Sequence, residues 1–356
     1  MPVNDGTIFV SIASYRDPEL LPTLTNLIAS AETPARLHIT VCWQEYGSPD
    51  VFLASGLTLA PAGDTAGFPV WQGRLDGALV DVIAVAPGRS EGAGWARSLC
   101  ESRFMAEDYF LQIDSHCRFI PGWDEQMITM LESLRQQSLR PLLSTYPPDY
   151  QPGEPEQRAG FTSRLVFKTF TADGIPLLDS YPFRASEPQR SCYLAGGFVF
   201  TDGHYVRNVP NDPQIFFYGE EISMAVRAFT HGYDAYTPHN ILLWHHYGRA
   251  GSPRIWDDHT DHARKQGEVT HTWYERDRIS KQRVCAVLGL REPLSGGYGC
   301  GTQRTLQDFE YASGLCFREQ RIHREVKEHT RCSYFSSPPS GREKWLASLV
   351  PPEKRK

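Results

Sequence analysis

The chain predicts an α/β fold: a mostly parallel central sheet flanked by helices, plus a C-terminal helical and loop extension. Three observations carry that expectation. The apolar run Thr7–Ser14 is followed by leucines at helical spacing and then by the alternating run Leu37–Gln44. Such a β-α-β unit implies a parallel pair and a right-handed crossover. A third run, Leu79–Val85, passes through the glycine-rich Pro87–Gly94 turn into a helix starting at Trp95. A fourth, Tyr109–Ile113, is short and aromatic and stops abruptly at Asp114-Ser115-His116, as a buried strand does.

Composition narrows the function classes. The chain has 356 residues, 40% hydrophobic and 22% charged, with a formal net charge of −6. That is within the globular range and predicts one large domain or two modest ones. The expected division is a catalytic domain over 1–290 and an extension over 291–356 packing on it. The only basic run is the short Lys354-Arg355-Lys356 tail, so nucleic acid is not expected as a partner. No apolar stretch reaches about 18 residues and no basic and apolar leader opens the chain. No membrane association and a cytoplasmic location are therefore expected. The eight cysteines show no C-x-x-C pair, which predicts reduced thiols and no structural zinc.

Taken in order, the first strand ends in Ser14-Tyr15-Arg16-Asp17-Pro18. Ligands of open α/β sheets bind outside the strands' carboxyl ends. Ser14, Tyr15, Arg16 and Asp17 lie there with Gln44 and Glu45, positioned for a nucleotide base or ribose. A helix-capping turn with a solvated Arg16 has equal weight. Leu20, Leu24, Leu27 and Ile28 mark the first helix. Residues 46–79, rich in Gly, Pro, Ala and Asp with weak periodicity, read as a loop or insertion. Gly92 and Gly94 allow close backbone approach, and the helix start they open offers N–H groups to phosphate. Arg97 lies one turn in, within reach of a diphosphate or sugar. The alternative is a tight turn and a surface arginine.

Asp114 and His116 are two residues apart, which in extended backbone places both on one side. A carboxylate and an imidazole so placed can hold a divalent cation, Mn²⁺ or Mg²⁺, which would hold a diphosphate. A local Asx-turn is the simpler alternative. A helix over Asp124–Gln136 and a strand over Pro141–Tyr146 follow. Arg164–Phe170 alternates as one arm of a hairpin would. Gly196-Gly197, inside an expected strand Cys192–Phe200, mark close approach to a sugar or acceptor. Glu220 and Glu221 open a helix that ends at Gly232. Acids suit a helix N-terminus, but could also bind sugar hydroxyls or take an acceptor's proton. A strand ending in His245-His246 could add a third metal ligand. Arg254, Trp256 and Asp257 suit a lid. Helices are expected over Trp273–Leu288 and Thr305–Gly314, and a polar peripheral tail from Gln320.

In this order, Ile8-Phe-Val-Ser-Ile-Ala-Ser-Tyr-Arg-Asp17, Gly94-Trp-Ala-Arg97, Gln112-Ile-Asp-Ser-His116 and Ala195-Gly-Gly197 are followed by Gly219-Glu-Glu221, Trp244-His-His-Tyr247 and Gly299-Cys-Gly-Thr-Gln-Arg304. Across roughly residues 7 to 315 the set resembles the cytoplasmic GT-A polypeptide N-acetylglucosaminyltransferases that modify hydroxyproline. The resemblance implies a GT-A (Rossmann-like) nucleotide-sugar transferase fold. It implies a UDP-sugar donor, UDP-N-acetylglucosamine first, a divalent cation, and transfer with retention to a hydroxyl of a protein or peptide. By the same resemblance Asp114 and His116 match the metal motif, and His245 is favoured over His246 as the later metal ligand. Tyr15, Arg16 and Asp17 fall in the uridine-binding turn, Arg97 in the donor-binding helix, and Glu220 and Glu221 at acceptor or sugar contacts. An inverting enzyme would need Glu221 as base, whereas a retaining one need not.

The rivals are another UDP-sugar with a glycan or small-molecule acceptor, a nucleotidyltransferase, and a non-catalytic nucleotide-sugar module. A nucleotidyltransferase would want an early basic triphosphate loop, which is absent. A binding module would need neither Asp114 nor His116.

Overall fold

The computed structural model describes residues 6–153, 161–248, 251–329 and 341–352. Cys332 and the Lys354-Arg355-Lys356 tail lie outside them. The chain opens with β1 (Ile8–Tyr15), α1 (Leu20–Ala29) and β2 (Leu37–Gln44), then β3 (Ala60–Thr65), β4 (Phe68–Leu75), β5 (Ala78–Val85) and α2 (Ala93–Glu101). Next come β6 (Tyr109–Asp114), β7 (Cys117–Phe119), α3 (Trp123–Ser133), β8 (Pro141–Ser144), the pair β9 (Thr162–Phe170) and β10 (Pro176–Phe183), and β11 (Gln189–Arg190). The middle closes with β12 (Phe198–Asp202), α4 (Tyr205–Asn208), α5 (Glu220–Thr230), β13 (Asp234–Thr237) and β14 (Leu243–His245). The last part holds α6 (Ile255–Asp258), α7 (Asp261–Lys265), α8 (Trp273–Val287), α9 (Leu306–Ser313), β15 (Leu315–Cys316), β16 (Arg321–His323), α10 (Arg342–Ser348) and β17 (Leu349–Val350).

Among the described residues, ten strands form one sheet in the order β11-β13-β8-β12-β6-β1-β2-β5-β4-β3. Its centre, β6-β1-β2-β5, is parallel throughout. Antiparallel pairings extend it on both sides, through β12 and through β4. The central strands are continuous apolar runs because both faces are covered. On one face α1 and α3 pack Leu24, Leu27, Trp123, Met127 and Leu131 on Ile8, Val10, Ile12, Ile39 and Val41. On the other, α2 sets Ala96, Leu99 and Cys100 against Cys42 and Ile83. There α5, α8 and α9 also cover Phe9, Phe110 and Val199.

Three expectations need correction. Residues 46–79 are not a loop: they hold β3 and β4, which widen the sheet as a meander into β5. β3 is half-buried or exposed along its whole length, so it lacks the alternation that reveals a strand. The cue was Asp76-Gly77: Asp76 and Gly77 have φ of 50° and 90°, as do Ala66 and Gly67 at 50° and 77°, the signature of tight hairpin turns. Second, Gly196-Gly197 precede β12 rather than lying within it. Third, the end of the chain is more than a peripheral tail. Trp345 is fully buried, edge-on to Tyr311 at 5.0 Å between ring centroids.

Candidate active site

The carboxyl ends of β1, β2 and β6 open into a cavity of about 1040 Å³. Among the residues singled out in the sequence, Tyr15, Arg97, Asp114, His116, Gly196, Gly197, Glu220, Glu221 and His245 line it. The central cluster is Asp114, His116 and His245, each offering one ligand atom within 4.8 Å of the others. β6 ends at Asp114, and the chain turns through Ser115 and His116 into β7. β14 pairs antiparallel with β7, setting His245 opposite Cys117. That pairing brings together residues 131 apart: His245 Nε2 lies 3.1 Å from Asp114 Oδ2. The two imidazoles meet edge-on at 4.5 Å. His246 turns away, its Nδ1 directed at the Tyr150 carbonyl.

Electrostatics suit this cluster to a cation. Burial disfavours the charged form of Asp114, but the His245 hydrogen bond and the Arg97 charge outweigh it and hold the carboxyl well below its usual range. Burial likewise pushes His245 below its ordinary value, against the pull of Asp114, which favours a neutral imidazole; its Nε2 would offer a lone pair once an ion replaced the hydrogen bond to Asp114 and the proton moved to Nδ1. Ligands at about 2.1 Å from one octahedral ion stand roughly 3 Å apart, close to the 3.1 Å between Asp114 Oδ2 and His245 Nε2. One carboxylate and two imidazoles fit a divalent transition metal. Gly197 completes the cradle: a Cβ there would stand 2.7 Å from Asp114 Oδ2.

Around the cluster the charges are paired. Arg97, 3% exposed, donates to Asp114 Oδ1 at 2.9 Å and pairs with Glu220. Glu221 accepts the Gly196 N–H at 3.0 Å and the Tyr146 hydroxyl. Burial raises the Glu221 pKa. Beneath Gly196 a buried relay fixes the turn. Gln112 Nε2 donates to the Gly196 carbonyl at 2.8 Å, and Asn211 Nδ2 donates to Gln112 Oε1 at 2.9 Å and to Glu101 Oε1 at 2.6 Å. Burial pushes Glu101 up to about 7.

Ser14, Arg16 and Asp17 do not line this cavity. Side chains alternate along β1, so Ala13 and Tyr15 face it and Ser14 is turned away, its carbonyl bonded by Gln44 Nε2 at 3.0 Å. Arg16, with φ of 45°, swings out to Asp258 at 2.9 Å. Asp17 lies under His116. The glycines at the start of α2 also act otherwise than expected. The N–H groups of Ala93 and Gly94 donate to the carbonyls of Phe216 and Ile215 at 3.0 and 3.2 Å, so they are not free for phosphate. A Cβ on Gly94 would meet Asp212 O at 2.5 Å; the close approach is to the protein's own backbone.

Sequence reading missed Tyr146, Asp258 and the β9–β10 wall as site components. Tyr146 stands immediately before Pro147-Pro148, a strand end beside the others and the one available cue. Asp258 accepts from Tyr15 Oη at 2.6 Å and from Arg16, which fastens α6 across the end of β1. Pro253, Arg254 and Trp256 there border the cavity, and Trp256 rests on Phe217 at 5.6 Å.

A family model described as "Glycosyltransferase (GlcNAc)" matches residues 7–68 and 54–318. No curated protein sequence matches the chain. Among solved structures, GalNAc-T7, with UDP, GalNAc and Mn²⁺, superposes with a TM-score of 0.52 at 14% identity, over 85% of this chain. The chain spans 56% of that protein's length. Residues 1–349 of S. aureus TarS in complex with UDP-GlcNAc give a TM-score of 0.40 at 9% identity, over 78% of this chain and 72% of that one.

Proposed function

The chain belongs to the glycosyltransferase (GlcNAc) family, and on that premise we propose that it transfers N-acetylglucosamine from UDP-N-acetylglucosamine to a protein or peptide hydroxyl, retaining anomeric configuration, with a divalent cation. The observation carrying this reading is the convergence of Asp114, His116 and His245 within 4.8 Å at the sheet's carboxyl edge. In this reading residues 1–290 are the catalytic domain and 291–356 its extension. The UDP, GalNAc and Mn²⁺ of GalNAc-T7, a protein with the same fold, support a UDP-sugar and manganese.

Asp114, His116 and His245 would hold the ion. When bound, it supplies Lewis-acid neutralisation of charge on the departing diphosphate. Arg97 holds Asp114 in place and lends the site a buried positive charge. Tyr15 and the adjoining α6 segment border the nucleotide end, where Asp258 fixes the Tyr15 hydroxyl. Glu220 and Glu221 act as anchors: one holds Arg97, the other the Gly196 turn. Neither presents an uncommitted carboxylate as base, which supports retention. Cys42, Cys100, Cys117, Cys285, Cys300 and Cys316 are free thiols, consistent with the cytoplasm, and no described helix is long and apolar enough to cross a membrane.

Calorimetry of UDP with Mn²⁺ and with EDTA tests the site. Binding is expected to depend on the metal and to weaken in Asp114→Ala with the melting temperature preserved. UDP binding indifferent to EDTA would remove the basis of the reading.

A further inference from the structure

We infer that Asp17 is a positioning residue that fixes the tautomer and orientation of His116, one of the three proposed metal ligands. The inference rests on the metal-site reading above and deepens it. Asp17 is 8% exposed, at the turn from β1 into α1. Its Oδ2 accepts from Ser115 Oγ at 2.6 Å and faces His116 Nδ1 at 2.7 Å. Its Oδ1 accepts the Glu19 N–H at 3.0 Å. A carboxylate only accepts, so the His116 proton must sit on Nδ1, leaving the Nε2 lone pair for the ion. A carboxylate behind a ligating imidazole fixes its tautomer and orients the ring.

The two histidines differ in this respect. His245 Nδ1 is buried with no hydrogen-bond partner among the described residues. His245 is held by strand pairing with β7 and by ring contact with Tyr247 at 4.2 Å. His116 lies beyond the end of β6 and outside β7, so its side-chain bond to Asp17 carries the orientation that a strand supplies to His245.

Asp17→Asn is the discriminating substitution. The amide would keep the shape but accept at only one of the two oxygen positions. If its NH₂ faces His116, it forces the proton onto Nε2; if it faces Glu19, it opposes that N–H. The measurement is Mn²⁺ affinity by electron paramagnetic resonance, on wild type, Asp17→Asn, His116→Ala and the double variant, without nucleotide. Asp17→Asn should lose about 10- to 100-fold in Mn²⁺ affinity. It should add no further loss in the His116→Ala background, since its effect runs through that ring. In metal-free protein, ¹⁵N-histidine spectra should show His116 protonated on Nδ1 in wild type. Equal Mn²⁺ affinity in wild type and Asp17→Asn, additive losses in the double variant, or an Nε2–H tautomer in wild type would overturn the inference alone. Wild type that binds no Mn²⁺ would overturn the metal reading and the inference with it.

Discussion

Gly197→Ala is the most incisive single-atom perturbation of this site. The backbone at Gly197 lies outside the left-handed region, so the added methyl meets no left-handed strain. Its Cβ would stand 2.7 Å from Asp114 Oδ2 and 3.2 Å from Cγ, where ordinary contact begins at 3.4 Å. The carboxylate must therefore retreat by about 0.7 Å. It is pinned by Arg97 at 2.9 Å and His245 at 3.1 Å. A shift of that size directed along either contact takes it past hydrogen-bonding distance. A charge-assisted hydrogen bond contributes roughly 1.5–3 kcal/mol, and catalytic groups tolerate only about 0.5 Å of displacement. Mn²⁺ affinity and UDP-N-acetylglucosamine turnover should both fall about 10-fold or more. Overpacking typically costs ~1–3 kcal/mol of stability, so the variant should fold. Titration with Mn²⁺ and a UDP-release assay read the two effects. The neighbouring Gly196→Ala, whose Cβ comes no closer than 3.2 Å to an arginine nitrogen, should be milder. Wild-type metal affinity and turnover in Gly197→Ala would refute this geometry.

Three further outcomes follow from the same structure. Glu221→Gln should keep turnover within about 10-fold of wild type if the carboxylate only anchors the Gly196 turn; a loss of ~10²–10⁴-fold would mark a general base and speak for inversion. His38 lies between Glu107 and Asp81. Burial favours its neutral form, but the two carboxylates prevail and raise its pKa above 6.5. Its contribution to stability is therefore full below about 6.5 and lost as pH rises through the folded value. The melting-temperature gap between wild type and His38→Gln should be widest near pH 6 and shrink toward pH 9, and a gap that grows with pH would contradict the assignment. Asp258→Ala removes the bonds from Tyr15 and Arg16, so amide exchange over residues 251–258 should accelerate, and unchanged exchange would show that α6 is held by other contacts.

The legible part of the fold was the part dictated by local chemistry. Continuous apolar runs gave the parallel centre because those strands are buried on both faces, and Asp114 and His116 stood out because β6 ends abruptly in polar residues. β3 stayed hidden because an exposed edge strand has no apolar face to repeat. Other features stayed hidden because their partners are distant along the chain. Asp17 reads locally as a helix cap, yet its decisive partner is 99 residues away. Tyr146 and Glu221 are 75 apart, and Tyr15 and Asp258 are 243 apart. Gly92 and Gly94 were legible as sites of close approach, but sequence alone could not say that the approaching group is the backbone of Asp212 to Phe216.

The most direct measurement is UDP release from UDP-N-acetylglucosamine by the purified chain, with Mn²⁺ and with EDTA, in wild type and Asp114→Ala. A metal-dependent site at Asp114 should give slow hydrolysis that requires the metal, is abolished by EDTA and is lost in Asp114→Ala with the fold intact. Release that persists in EDTA or survives Asp114→Ala would contradict it.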